Sequence, residues 1–250
     1  MPITYIIAGL AVLSAAIAYD FKSWQTFGTG GTPPTLHGYL KIHRWGLYLL
    51  LHRQNLLDPS PLPTTGPSYL NPQRIPHRAG TRPKLTRWTL PQRQIPGKIT
   101  PAASYTLHNL MASFANTPPY STFIDARPSK TEGGTGTAIY VKPDSKDINL
   151  NPSAHKIFYE LAHVHPADHS LHVYVSPADA RLVLERGWGQ RFPVDWLAPP
   201  SWIMVYAPRD EEEVEVVREV VRGAVCFAVG TNLKVEGREG GRGISKDVQD

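Results

Sequence analysis

The spacing of apolar positions changes along the chain, and the changes mark its elements. Ile3 to Tyr19 is almost wholly apolar and carries no charge before Asp20. A helix needs about 20 apolar residues to cross a bilayer, so this segment is short but adequate. It is apolar on every side and sits at the terminus, unlike a buried core helix. Leu36 to Arg53 mixes leucines, aromatics and basic residues. It fits a helix lying on a bilayer with Trp45 and Tyr48 at headgroup level, and equally an amphipathic helix packed on the body. Residues 57–100 are rich in Pro, Arg and Thr; Gly80 to Pro83 reads as a turn and Leu85 to Leu90 as a short strand. Helical spacing returns over Ala102 to Asn116, through Leu107, Leu110, Met111 and Phe114.

Beyond residue 120, alternation takes over. Ser121 to Ala126 and Thr137 to Lys142 read as strands, joined by the Gly-rich turn Glu132 to Gly136. That glycine run follows no strand-to-helix pattern, which argues against a phosphate loop. Lys156 to His165, Leu171 to Ser176 and Trp202 to Tyr206 are further strands. Ser176, Pro177 and Asp179 form a helix start, with Gly187 as its stop. Asp210 to Glu213 opens a last helix that runs to about Val229, with acids at its positive end and Glu213 placed for a capping box. The fold class is α+β: a mostly antiparallel sheet covered by helices, with an N-terminal hydrophobic anchor helix. The organisation expected is an anchor at 1–22, a basic, Pro-rich membrane-proximal region at 23–100, a catalytic domain at 101–230 and a flexible tail at 231–250.

Charge refines this picture. The net charge is +5, yet residues 1–100 hold 11 Lys/Arg against 2 Asp/Glu. A basic first part suits an anionic surface. No nucleic-acid motif accompanies it, so membrane lipids are the expected partner and nucleic acid is not. Ala16-Ile17-Ala18 resembles a signal-peptidase site, but the basic n-region is missing. Lys22, Lys41, Arg44 and Arg53 follow the apolar segment. By the positive-inside rule they predict an uncleaved, single-pass N-terminal anchor with a cytoplasmic body. The single Cys226 excludes an internal disulfide and a Cys-rich metal site.

Chemistry concentrates in residues 160–191. His163, His165, His169 and His172 fall within ten positions, followed by Gly187-Trp188-Gly189-Gln190-Arg191. On a strand, His163 and His165 share one face and Val164 takes the other. If Pro166 to His169 is a four-residue hairpin loop, His163 faces His172, His165 faces Ser170, and three imidazoles meet. A loop one residue longer separates them. His172, Tyr174 and Ser176 share a face on the second strand. Three readings stay open. The trio can bind zinc, iron or copper, although no carboxylate stands out as a further ligand. It can act as base and hydrogen-bond donor to an acidic organic substrate. Or it is a buried polar cluster with no chemical role. Arg191 can hold an anionic oxygen, and Trp188 is either a ligand platform or a core plug. Arg209 has Glu211, Glu212 and Glu213 as alternative partners.

Several blocks resemble the fungal luciferase-like family: Glu160 to His165 (ELAHVH), Ser170 to His172, Gly187 to Arg191 (GWGQR), Tyr206 to Glu213 (YAPRDEEE) and Gly80 to Pro83 (GTRP). Their order agrees, and the resemblance covers nearly the whole chain. It implies O2-dependent oxidation of a small enolisable molecule, in the family the hydroxylated pyrone 3-hydroxyhispidin. CO2 is lost, light is emitted, and no cofactor is needed beyond O2 as co-substrate. Two positions depart from the family pattern. Phe192 stands where the family usually has His, and His169 where a small residue is common; luminescence is therefore not carried over. Residues and resemblance together give His163, His165, His172 and Arg191 as catalytic groups. Trp188, Ser170, Tyr174, Phe192 and Arg209 are the expected substrate contacts. Two alternatives are a metal-dependent enzyme using His163, His165 and His172, and a non-catalytic small-molecule-binding protein.

Overall fold

A computed structural model describes residues 2–142 and 151–233; the expected tail lies almost wholly outside them. Helix α1 (Pro2–Phe27) and helix α2 (Leu36–Leu51) come first. Short helices α3 (Pro101–His108), α4 (Leu110–Asn116) and α5 (Tyr120–Phe123) precede strands β1 (Ile124–Pro128), β2 (Thr137–Val141), β3 (Glu160–Val164) and β4 (Leu171–Tyr174). Helix α6 (Pro177–Glu185), strands β5 (Gly189–Arg191) and β6 (Trp202–Val205), and helix α7 (Glu211–Val229) complete the order. The strands form one antiparallel sheet in the order β1-β2-β3-β4-β6-β5. This is the α+β class the alternation predicts.

Helix α7 supplies the main apolar cover. Val214, Val217, Val221 and Val225 recur at helical spacing and join the core with Ala162, Val164, Leu171 and Val173 of the sheet. Its start is capped as expected, Asp210 accepting from the Glu213 amide at 2.9 Å. The reciprocal bond closes one residue early, Glu213 accepting from the Arg209 amide at 2.9 Å. Asp179 in α6 ties a distant loop to this core. Its buried carboxylate accepts from Ser68 Oγ (2.7 Å), the Tyr69 amide (2.9 Å) and the Leu70 amide (3.3 Å). Asp179→Ala would leave these donors without a partner, at about 1–3 kcal/mol for each that stays buried. A lowered melting temperature in that variant is the expected outcome; an unchanged one would show that water replaces the carboxylate.

Five local expectations change. The strand expected from Ser121 begins at Ile124, because Tyr120–Phe123 form α5. Ala102 to Asn116 is two helices, because the Asn109 side chain bonds the Tyr105 carbonyl (2.8 Å) and turns the chain. The strand expected from Lys156 begins at Glu160: residues 152–157 form a 3-10 turn, and Phe158 and Tyr159 take left-handed φ of 56° and 60°. Leu85 to Leu90 forms no strand, only the single bridge Leu85–Gln94. Gly189 to Arg191, where the sequence predicts no strand, is strand β5.

Helix α1 does not end at residue 22. Its last turns run into a second apolar cluster, where Trp24 is fully buried with Tyr39, Ile42, Trp88, Leu90 and Val194. Asp20 accepts from Tyr39 Oη (2.5 Å) and Trp88 Nε1 (3.1 Å) and pairs with Arg87. Trp24 Nε1 donates to the Leu90 carbonyl at 3.0 Å. Residues 3–27 form a helix long and apolar enough to cross a membrane. Helix α2 splits its loyalties: Tyr39 and Ile42 are buried, whereas Leu36, Leu40, Leu47, Leu50 and Leu51 are exposed.

Candidate functional site

The β3–β4 hairpin places the chemistry. Its register pairs His163 with His172, and the His165 amide donates to the Ser170 carbonyl at 2.8 Å, so residues 166–169 are the four-residue loop. Val164 packs in the α7 core, on the face away from the imidazoles. The rings of His163, His165 and His172 lie 4.8–5.4 Å apart, centroid to centroid. His165 Nε2 is 2.9 Å from His163 Nε2 and 3.0 Å from His172 Nδ1.

Each outer ring nitrogen has its own partner. His163 Nδ1 lies 2.5 Å from Glu160 Oε1. His165 Nδ1 lies 2.8 Å from Ser170 Oγ, whose hydroxyl donates to Asp168 Oδ2 at 2.6 Å. His172 Nε2 lies 3.1 Å from Gln92 Oε1, and Gln92 Nε2 donates to the Arg191 carbonyl at 2.9 Å. Glu132 completes the ring of groups, its Oε1 being 3.3 Å from His163 Nε2 and 3.8 Å from His165 Nε2. Arg93 is 3% exposed and pairs with Glu132, and its Nε stands 3.6 Å from Asp168 Oδ1. Neither of those last two atoms has a hydrogen-bond partner.

Burial and charge set opposite trends within this cluster. Burial alone would depress His163, but the charge of Glu160 and the bond to Glu132 outweigh it and carry the pKa up to about 9. His165 and His172 are pushed well below the usual imidazole value, by burial first and then by neighbouring positive charge. Burial also raises Glu132, yet Arg93 and His163 overcome it and hold the pKa at about 2. Glu160 falls to about 2 as His163, Thr131 and Tyr140 outweigh its burial. Asp168 goes the other way, raised by burial to about 6 despite Arg93. The result is one cationic ring held between two carboxylates, with two neutral rings beside it.

Three chain segments assemble this arrangement. Residues 85–94 form a strap that contributes Gln92, Arg93 and Gln94; the Gln94 amide donates to Asp168 Oδ2 at 2.8 Å, and the Gln94 side chain accepts from the Ala207 amide at 2.9 Å. The Gly-rich turn before β2 delivers Glu132. Gly133, Gly134 and Gly136 take φ of 65°, 94° and 72°, which folds the turn back onto the sheet. On β6, Trp202 stacks on His172 at 5.5 Å and 15°. Phe192 meets His172 edge-on, 5.5 Å between centroids and 80° between planes.

The expected site residues divide accordingly. His163, His165, His172, Ser170 and Phe192 are together. Arg191 is not: its amide and guanidinium donate to the carbonyls of Leu56 and Asn55, at 2.9 Å each. The guanidinium at the imidazoles is Arg93. Trp188 is the core plug, 2% exposed, with its indole N–H donating to the Pro76 carbonyl. The indole at the imidazoles is Trp202. Tyr174 packs on Phe227 (5.3 Å) and its hydroxyl bonds Ser153 (2.9 Å), away from the cluster. Ser176 caps α6, accepting from the Asp179 amide. Arg209 pairs with Glu213. Sequence reasoning missed Glu132, Arg93 and Gln92. It also passed over Glu160 and Asp168, although each is three residues from a histidine it named.

Comparison with known proteins places the imidazole trio inside a recognised unit. The Luciferase domain family matches residues 159–224. Over most of its length the chain is similar to proteins named luciferase from luminous fungi. It is 28% identical to one from Armillaria mellea, over 88% of each chain. It is 29% identical to one from Armillaria ostoyae, over 87% of this chain and 85% of the relative. It is 28% identical to one from Neonothopanus nambi, over 86% and 84%. No solved structure matches the chain.

Proposed function

As a relative of the fungal luciferases that carries their domain at residues 159–224, this chain is, we propose, an O2-dependent oxidoreductase. Its substrate is a small enolisable compound of aromatic or pyrone type. The observation that supports this most is the trio of imidazoles, all within the matched domain, buried against Trp202 and Phe192. A neutral imidazole accepts the enol proton, and the electron-rich anion that remains is what O2 oxidises. His172 has the outermost position, 4% exposed where His163 and His165 are fully buried. The cationic His163 and Arg93 lie where they balance the negative charge that develops. Trp202 and Phe192 supply the flat apolar walls a planar ring needs.

A cavity of about 600 Å3 opens between the end of α1 and the hairpin loop, lined by Tyr19, Lys22, Phe27, Trp88 and Ala167 among others. It borders the loop that joins His165 to His172, and substrate approaches from that side. Oxygen uptake decides the reading. Purified chain given 3-hydroxyhispidin and related enolisable pyrones is expected to consume O2 above the rate in protein-free buffer. Uptake equal to buffer across the panel would overturn the oxygenase reading in favour of a binding protein.

The same reading puts the chain on a membrane. Residues 3–19 cross the bilayer, Lys22, Lys41, Arg44 and Arg53 keep the body on the cytoplasmic side, and the exposed leucines of α2 rest on the surface. Trp45 and Tyr48 meet Trp196 edge-on at 6.0 Å and 5.5 Å, an aromatic group suited to headgroup depth. Deleting residues 2–18, short of Asp20, is expected to move most of the protein from the membrane pellet into soluble extract. Full retention through high-salt washes would exclude a single anchor, whereas partial retention would assign the remainder to α2.

A further inference from the structure

We infer that Glu132, His163, His165 and His172 form a binding site for one divalent first-row transition-metal ion. The inference rests on where the hydrogens must lie and does not depend on the oxygenase reading. Gln92 Nε2 donates to the Arg191 carbonyl, so its Oε1 faces His172 Nε2 as an acceptor, and that nitrogen carries the hydrogen. Ser170 gives its hydroxyl hydrogen to Asp168, so Ser170 Oγ accepts from His165 Nδ1. Glu160 accepts from His163 Nδ1. In every ring the outer nitrogen is the donor, held by a neighbour that can only accept. This outer-shell arrangement is what fixes metal-ligating imidazoles in one tautomer.

The inner nitrogens follow. His165 Nε2 and His172 Nδ1 are left with lone pairs, and His163 Nε2 gains one when an incoming ion displaces its proton; these converge together with Glu132 Oε1, all four atoms lying within 4.8 Å of one another. With the outer nitrogens as donors, neither His165 Nε2 nor His172 Nδ1 carries a hydrogen, yet they stand 3.0 Å apart. Two lone pairs at that distance repel unless a cation lies between them. Ligand atoms bound about 2.0–2.2 Å from one ion are themselves roughly 3.0–3.5 Å apart. Three of the separations, 2.9, 3.0 and 3.3 Å, are close to that spacing, and the wider ones, 3.8 Å from Glu132 Oε1 to His165 Nε2 and up to 4.8 Å overall, close by small side-chain shifts when an ion enters. Charge agrees: three buried carboxylates, Glu132, Glu160 and Asp168, face one buried guanidinium, Arg93. In the metal-free cluster the His163 proton takes up part of that excess; once an ion displaces it, the rings are neutral and two negative charges are in excess, which a divalent ion cancels. Three imidazoles and one carboxylate suit zinc, iron, copper or cobalt better than calcium or magnesium.

Untagged full-length chain in detergent, freed of metal by a chelator, tests this by titration with Zn2+, Mn2+, Co2+ and, under anaerobic conditions, Fe2+. The expected result is one ion per chain after desalting, visible ligand-field bands with Co2+, and a higher melting temperature. Glu132→Gln should weaken binding by roughly 10–100-fold or more, while His108→Ala, at an exposed position, should leave it unchanged. If Glu132→Gln does not fold, the folded wild type still decides. Absence of both a stoichiometric ion and cobalt bands would overturn the site and leave a proton shared among the rings as the occupant. Unchanged affinity in a folded Glu132→Gln would also overturn the four-ligand assignment.

Discussion

His163→Ala is expected to abolish O2 uptake on any confirmed substrate, by roughly 100-fold or more, while His155→Ala leaves it intact. His163 is the hub of the cluster. It bonds Glu160, faces Glu132 and touches His165, and its ring stands 5.7 Å from Trp202. Removing it deprives buried Glu160 of its positive partner and leaves Glu132 with Arg93 alone, and a broken buried pair costs about 3–5 kcal/mol. Lost activity and lost folding must therefore be separated. His163→Asn serves, because its amide N–H can still donate toward Glu160 while the ring is gone. Inactive but folded His163→Asn is the expected outcome. His155, outside the cluster, has its Nδ1 2.6 Å from the Pro152 carbonyl. Equal rates for His163→Ala and wild type would move the active site off this hairpin.

Phe192→His is expected to raise oxidation of 3-hydroxyhispidin about 100-fold and to bring out light where the wild type gives little or none. Phe192 sits against His172 and packs on both apolar clusters, so it stands at the seam between the sheet and the α1–α2 region. A phenylalanine there cannot accept or relay a proton, and its apolar surface disfavours a charged intermediate. An imidazole in the same place would add a fourth ring beside His172. Luminometry with the synthetic pyrone, read beside O2 uptake, distinguishes faster turnover from brighter emission. Bright emission from the wild type would show that residue 192 is dispensable for light.

The hairpin was legible because its signal is local. Period-two alternation puts His163 and His165 on one face, and the four-residue loop, which the sequence offered as a condition, pairs His163 with His172 in the structure. The rest of the site was not, because its partners arrive over long sequence distances. Arg93 and Gln92 come from a Pro-rich strap whose backbone makes a single β-bridge and so leaves no period to read. Glu132 was hidden in a Gly-rich turn judged only as a failed phosphate loop. Arg191 and Trp188 misled for the opposite reason. The glycines around Trp188 belong to a helix stop and a short strand, so the conspicuous side chains point into packing. Helix α2 divided as its composition did, one face buried and the other bare.

The strap has a second tie besides the imidazoles. The end of α1 holds it from the other side, through Trp24 to the Leu90 carbonyl and through Asp20 to Arg87 and Trp88. Two residues beyond Leu90 comes Gln92, which bonds His172. The helix apolar enough to cross a membrane and the imidazole cluster are thus joined through a few consecutive residues of one strap. Under the membrane-bound oxygenase proposed above, how the protein is solubilised bears on its rate. Nanodiscs and short-chain micelles are then different surroundings for the same cluster, and O2-uptake rates measured in them are expected to differ.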